Sequence, residues 1–144
     1  MMALTPQERS EALVTIRRGL DEDLRYGPDV TTIATVPADA RTEAALVARE
    51  AGVAAGVDVA LMVLDEVLGT GCYQVLDRVQ DGTRLEPGQA LLRVRADTRG
   101  LLTAERTLLN LLCHLCGIAT ATAAWVEAVA GTTTRIRDTR KTLP

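Results

Sequence analysis

Two tight turns set six positions apart, Asp81-Gly82 and Pro87-Gly88, do most to limit what this chain can fold into. Each joins a turn-favouring residue to a glycine that accepts positive φ, so the chain reverses direction twice over a short stretch. The runs on either side, 73–79 and 90–94, read as short strands. A hairpin of this size does not persist alone in water and must be covered by another layer. Helical patterns before and after it supply that layer, so the fold class is α+β.

Thr5 followed by Pro6 and Glu8 is a capping box with proline at the first helical position. Leu13, Ile16 and Leu20 then recur at spacings of three and four, giving a buried stripe on a helix that is expected to end near Gly19 or Leu20. Residues 21–32 are acidic and turn-rich. Their paired carboxylates raise a metal site, but Gly27-Pro28 favours a solvated loop. Residues 42–49 read as a strand leading into a glycine-punctuated turn over 50–56. Gly52 and Gly56 lack the third glycine of a dinucleotide fingerprint. Residues 57–68 form a helix stopped by Gly69.

A long helix starts between Thr98 and Thr103. Its apolar stripe is Leu108, Leu111, Leu112, Leu115, Ile118 and Ala119, while Arg106, Asn110 and His114 share a separate polar face. Arg106 lies near the helix start, where a cation is slightly disfavoured, so an anion is expected to offset that placement. Gly117 is expected to relax the helix, 119–130 to resume it and Gly131 to close it. No stretch is expected to reach the apolar length of a membrane helix, since 101–115 is interrupted by Glu105, Arg106, Asn110 and His114.

The chain then runs into Arg135-Ile-Arg-Asp-Thr-Arg-Lys-Thr142, strand-like in its Ile and Thr but too charged for a core strand. Of sixteen basic residues, fifteen are Arg and one is Lys, and that one, Lys141, follows Arg140 directly. A planar guanidinium fork beside a mobile ammonium suits a ligand with two kinds of anionic group, although a solvated basic edge fits the same residues. Phe is absent and Tyr26, Tyr73 and Trp125 are the aromatic residues, so the core is expected to be aliphatic and the composition argues against a base-stacking platform. A net charge of -3 argues equally against a general polyanion binder.

Cys72, Cys113 and Cys116 are odd in number, and the N-terminus has no apolar leader pattern, which together suggest a reducing cytoplasm. Cys113 and Cys116 lie one helical turn apart, but no second pair completes a zinc site, and both read as small buried hydrophobes. His114, the only histidine, has no neighbour to orient it for catalysis. The spacing from Asp81 to Leu92 resembles biotin- and lipoate-carrier domains. A carrier needs a lysine at a hairpin tip, and Lys141 is far from any second such turn.

Four ordered motifs carry a wider resemblance: Asp23-Leu-Arg-Tyr-Gly-Pro-Asp-Val-Thr-Thr32, Leu101-Leu-Thr-Ala-Glu-Arg-Thr-Leu-Leu-Asn110, Gly117-Ile-Ala-Thr120 and Asp138-Thr-Arg-Lys-Thr142. Together they resemble the quinolinate phosphoribosyltransferase family over essentially the whole chain. The resemblance implies an N-terminal α/β sandwich over 1–115 and the first part of an α/β barrel over 116–144, with 135–142 as its first strand. It implies transfer of a phosphoribosyl group to quinolinate with decarboxylation, using phosphoribosyl pyrophosphate and Mg2+ and yielding nicotinate mononucleotide.

Arg140 would then fork a quinolinate carboxylate, Lys141 would reach the phosphates or the developing charge, and Thr139 would line the same pocket. Arg106 would act across the interface of a homodimer or larger assembly. The family continues beyond Pro144 into the barrel, with the magnesium ligands and further basic residues, so this chain is expected to be an inactive part of a cytoplasmic enzyme. Cys116 stands where the family commonly has Ser. The alternative is a non-catalytic dimerisation or small-anion-binding module derived from that family.

Overall fold

A computed structural model describes residues 4–139. Helix α1 (Pro6–Asp23) opens with the expected capping box: the Glu8 amide donates to Thr5 Oγ1 at 3.2 Å, and Glu8 Oε2 accepts from the Thr5 amide at 2.8 Å. It runs to Asp23, past the expected stop at Gly19 or Leu20. Gly19 is a contact residue, since a Cβ there would lie 3.1 Å from Thr107 Cγ2, and Ile16 is completely buried.

The segment read as a loop contains a second helix, α2 (Val30–Thr35). Asp29 caps it, accepting from the Thr32 amide at 3.0 Å and the Thr32 hydroxyl at 2.5 Å. A helix of six residues is too short to display a 3.6-residue period. Its far end depends on a distant residue: Arg99 donates to the carbonyls of Ile33 and Val36 at 2.6–3.0 Å, satisfying acceptors that the helix leaves unpaired.

Next come β1 (Arg41–Val47), β2 (Gly52–Val53), α3 (Val57–Leu68), β3 (Gln74–Arg78), β4 (Arg84–Leu85) and β5 (Ala90–Asp97). Strand β5 is central to an antiparallel sheet of order β1-β5-β3, with Glu43 opposite Arg95 and Ala44 opposite Val94. Period-two alternation puts Leu92, Val94 and Ala96 inside and Arg93 and Arg95 outside, and Arg95 pairs with Glu43 across the ladder. Strands β2 and β4 form a second, two-stranded ladder.

The Asp81-Gly82 turn performs a second task. Residue Gly56 takes φ +89° before α3 and has no side chain with which to cap it, but Asp81 accepts from the Gly56 and Val57 amides at 2.9 and 3.0 Å. Asp81→Ala is expected to lower stability by about 1–2 kcal/mol, the typical cost of a lost N-terminal cap, read as a lower urea midpoint with unchanged m-value.

Tyr73 ties the start of the third strand region to α3, its hydroxyl donating to the Leu61 carbonyl at 3.2 Å and to Asp65 at 3.1 Å. Burial, then the Asp65 charge, pushes its pKa up from 10.0 to about 12. A raised folded value means that the native state keeps its proton longer, so the stabilisation is full below pH ~10 and is lost as pH rises towards ~12. In a Tyr26→Phe background, absorbance at the phenolate band should rise near the higher value, whereas ionisation near 10 with the fold intact would contradict it.

The long helix is α4 (Thr98–Ala128), with Asp97 as its cap. Gly117 does not interrupt it. A mid-helix glycine costs only about 1 kcal/mol, and side chains on both sides fix the helix to β2 and the residues after it. Cys116 Sγ accepts from the Ala55 amide and donates to the Ala55 carbonyl, both at 3.3 Å, while Thr120 Oγ1 accepts from the Val53 amide at 3.0 Å. These bonds leave room only for Gly52, whose Cβ would sit 2.8 Å from Thr120 Oγ1.

The stripe expected on α4 is half correct. Of its members Leu108 and Leu112 are buried, joined by Ala104 and Thr107, and Leu111, Leu115 and Ala119 are half-buried, but Ile118 is exposed, as are Trp125 and Val126 further along the helix. The expectation that no stretch has the apolar length of a membrane span also needs correction: α4 is long and apolar enough by length and composition. The charges at Glu105 and Arg106 are followed by an uncharged run over 107–126. Its first half packs on α1 and α3 as a core helix. Beyond Gly131, residues 134–139 form no strand, so the described part of the strand expected over 135–142 is irregular. A strand is defined by its ladder, and 134–139 find no partner strand among the described residues.

Candidate functional site

The connection between α1 and α2 folds over one face of α4 and encloses a cavity of about 500 Å³. Asp23, Leu24, Gly27, Pro28 and Asp29 form one wall; Leu102, Thr103, Glu105, Arg106, Leu109 and Asn110 form the other. Two motifs separated by about seventy residues in the sequence thus meet at one place. Both arginines of this α4 face serve that meeting. They are seven residues apart and so project from the same side of the helix, Arg99 holding the end of α2 and Arg106 the end of α1.

Arg106 Nε lies 2.8 Å from Asp23 Oδ1, with the Arg106 side chain 75% exposed and that of Asp23 23% exposed. The anion expected beside Arg106 is therefore Asp23 of the same chain. The reason given for it changes, because α4 begins at Thr98 and Arg106 is its ninth residue, beyond the first turn in which the macrodipole acts. Asp29 is the second carboxylate of the wall. Its pKa is lowered first by the Thr32 hydroxyl, then by the Thr32 amide, with attraction to Arg106 adding to them.

Of the polar face expected on α4, Arg106 and Asn110 line the cavity, while His114 is exposed beyond it. Thr139 is exposed in the irregular segment and is not among the residues lining the cavity. Arg140 and Lys141 lie outside the described residues. Asp23, Asp29 and Arg99 were missed as parts of the site. Asp23 and Asp29 fall in the acidic segment, which reads as a solvated loop when taken alone, and in the 23–32 motif, whereas no sequence signal marked Arg99.

A larger hollow of about 1200 Å³ runs between the β1–β5 face and α4, lined by aliphatic residues such as Leu46, Leu92, Leu101 and Leu112 with few charges. It is too apolar to serve an anion. Of the two cysteines on α4, Cys116 lies at its edge as a half-buried thiol whose pKa burial pushes up, an inert hydrogen-bonding group in place of a hydroxyl. Cys113, one helical turn before it, borders the same hollow but is exposed and not the buried hydrophobe expected.

A family model described as quinolinate phosphoribosyl transferase, N-terminal domain, matches residues 29–116, and the chain belongs to that family. Among individual proteins it is 64% identical over 141 residues to the nicotinate-nucleotide pyrophosphorylase [carboxylating] of Mycobacterium leprae, covering 98% of this chain and 50% of that one. It is 36% identical over 131 residues to a probable enzyme of the same name from Methanothermobacter thermautotrophicus, covering 90% of this chain and 45% of that one. The crystal structure of NadC from Streptococcus pyogenes superposes with a TM-score of 0.87 at 37% identity, over 100% of this chain and 49% of that one. The chain therefore spans about half the length of the relatives it matches.

Proposed function

We propose that this chain is the N-terminal part of a quinolinate phosphoribosyltransferase, and that its α4 presents Arg106 to the quinolinate carboxylates. The observation that carries this reading is the convergence of the 23–32 and 101–110 motifs on one cavity, with an exposed guanidinium at its rim. The Nε side of Arg106 faces Asp23, which leaves the outer edge of the fork for a second carboxylate.

In the reaction, the pyridine nitrogen of quinolinate bonds to the anomeric carbon of phosphoribosyl pyrophosphate as pyrophosphate leaves. Loss of the adjacent carboxylate as carbon dioxide, with a proton from solvent taken up at the vacated ring carbon, then gives nicotinate mononucleotide. Lys141 is assigned to the phosphates and the charge developing at the anomeric carbon, Arg140 to a quinolinate carboxylate and Thr139 to the pocket wall. Magnesium would accompany phosphoribosyl pyrophosphate. Among the described residues no group of three or more His, Cys, Asp or Glu could hold a metal ion, so no step is assigned to one here.

The division falls near residue 115, close to where the family match ends. The active unit is a cytoplasmic homodimer or larger assembly in which Arg106 reaches the site of the neighbouring copy. The exposed apolar residues Ile118, Trp125 and Val126 and the large apolar hollow favour such an assembly. The same surfaces suit the alternative, a non-catalytic assembly module. A radiolabelled assay separates the two. The full-length protein should form nicotinate mononucleotide from quinolinate and phosphoribosyl pyrophosphate with Mg2+, and the 144-residue chain alone should not; self-association without product from either would support the module.

A further inference from the structure

We infer that Asp23 is the positioning residue for Arg106, holding its guanidinium so that the free edge of the fork is set before quinolinate arrives. This rests on the role proposed for Arg106. Asp23 ends α1 and is itself placed by the packing of that helix: Ile16 is fully buried, and Gly19 approaches Thr107 of α4 so closely that a Cβ would be 3.1 Å away. The Asp23 side chain is largely covered, whereas that of Arg106 is 75% exposed. The rigid member of the pair is therefore the carboxylate, and the long, otherwise mobile member is the cation.

An unrestrained arginine loses rotamer freedom when it binds, and a restraint made beforehand removes that cost. The contact atom matters. Binding at Nε restrains the guanidinium from its side and leaves the end-on Nη1/Nη2 edge to pair with a ligand carboxylate. A purely electrostatic role has the opposite sign, because Asp23 and Asp29 both stand near Arg106, and removing one negative charge would strengthen binding of an anion.

The test uses the full-length enzyme. Asp23→Asn is expected to raise the KM for quinolinate about three- to fivefold, with kcat and the KM for phosphoribosyl pyrophosphate within about twofold. Asp23→Glu should recover most of the loss. The melting temperature should barely change, since an exposed pair adds little stability. In an Arg106→Ala background, Asp23→Asn should have no further effect on the KM. A lower KM in Asp23→Asn, or an equal rise with and without Arg106, would overturn the positioning role while leaving Arg106 as a quinolinate ligand. An unchanged KM in Arg106→Ala itself would overturn both.

Discussion

Gly56→Ala is expected to cost this fold about 3 kcal/mol, far more than the same change at Gly82, which should cost about 1 kcal/mol. The backbones are alike, with φ +89° at both positions, so the left-handed strain of a Cβ is shared. Their surroundings differ. A Cβ at Gly82 meets nothing within 4 Å, whereas one at Gly56 would lie 2.5 Å from Leu115 Cδ1 and 3.3 Å from Leu115 Cβ. Leu115 cannot simply step aside, because Cys116 and Thr120 fix that part of α4 to Ala55 and Val53.

The inserted methyl must therefore push α3 and α4 apart along their main contact. Against a total stability of about 5–15 kcal/mol, that loss would be plain in urea denaturation followed by circular dichroism. Equal losses at Gly56 and Gly82 would mean that the close approach of α3 to α4 is not what requires glycine.

Arg106→Ala in the full-length enzyme is expected to raise the KM for quinolinate by an amount equivalent to about 2–5 kcal/mol, the usual effect of truncating one partner of a buried charged contact. Stability should change by no more than about 1 kcal/mol, because the Arg106–Asp23 pair is open to solvent on the arginine side. Arg106→Lys should recover little. A point charge on a flexible stem cannot face Asp23 from one side and grip a ligand carboxylate with a planar edge on the other. Steady-state kinetics with quinolinate varied at saturating phosphoribosyl pyrophosphate separates the outcomes, and a fall in kcat at constant KM would place Arg106 in the transition state and not in substrate binding.

Much of the fold was legible where the controlling interactions are local. The Thr5–Glu8 box, the bounds of α3 with its Gly69 stop and the two turns about β4 follow from residues within a few positions of one another. The features that were missed depend on contacts across the chain. Helix α2 needs Arg99 from more than sixty residues away, and α3 needs Asp81 from another turn. Gly52 and Gly56, which fail as a nucleotide fingerprint, are glycines because α4 passes directly over them.

The candidate site divides in the same way. Arg106 and Asn110 could be placed on one face by helical spacing, whereas Asp23 and Asp29 became part of the site only when α1 and α2 folded against that face. Residues 134–139 show the converse. Their Ile and Thr content suggests a strand, but a strand also needs a ladder.

The most direct test of the account is subunit mixing in the full-length enzyme. Arg106→Ala and Arg140→Ala proteins, each severely impaired alone, are unfolded together, refolded and assayed for nicotinate mononucleotide. If α4 of one copy completes the site of another, two-fold assemblies formed at random should regain roughly a quarter of wild-type sites. A refolded mixture no more active than its two components would contradict the assignment of Arg106 to the neighbouring subunit's site.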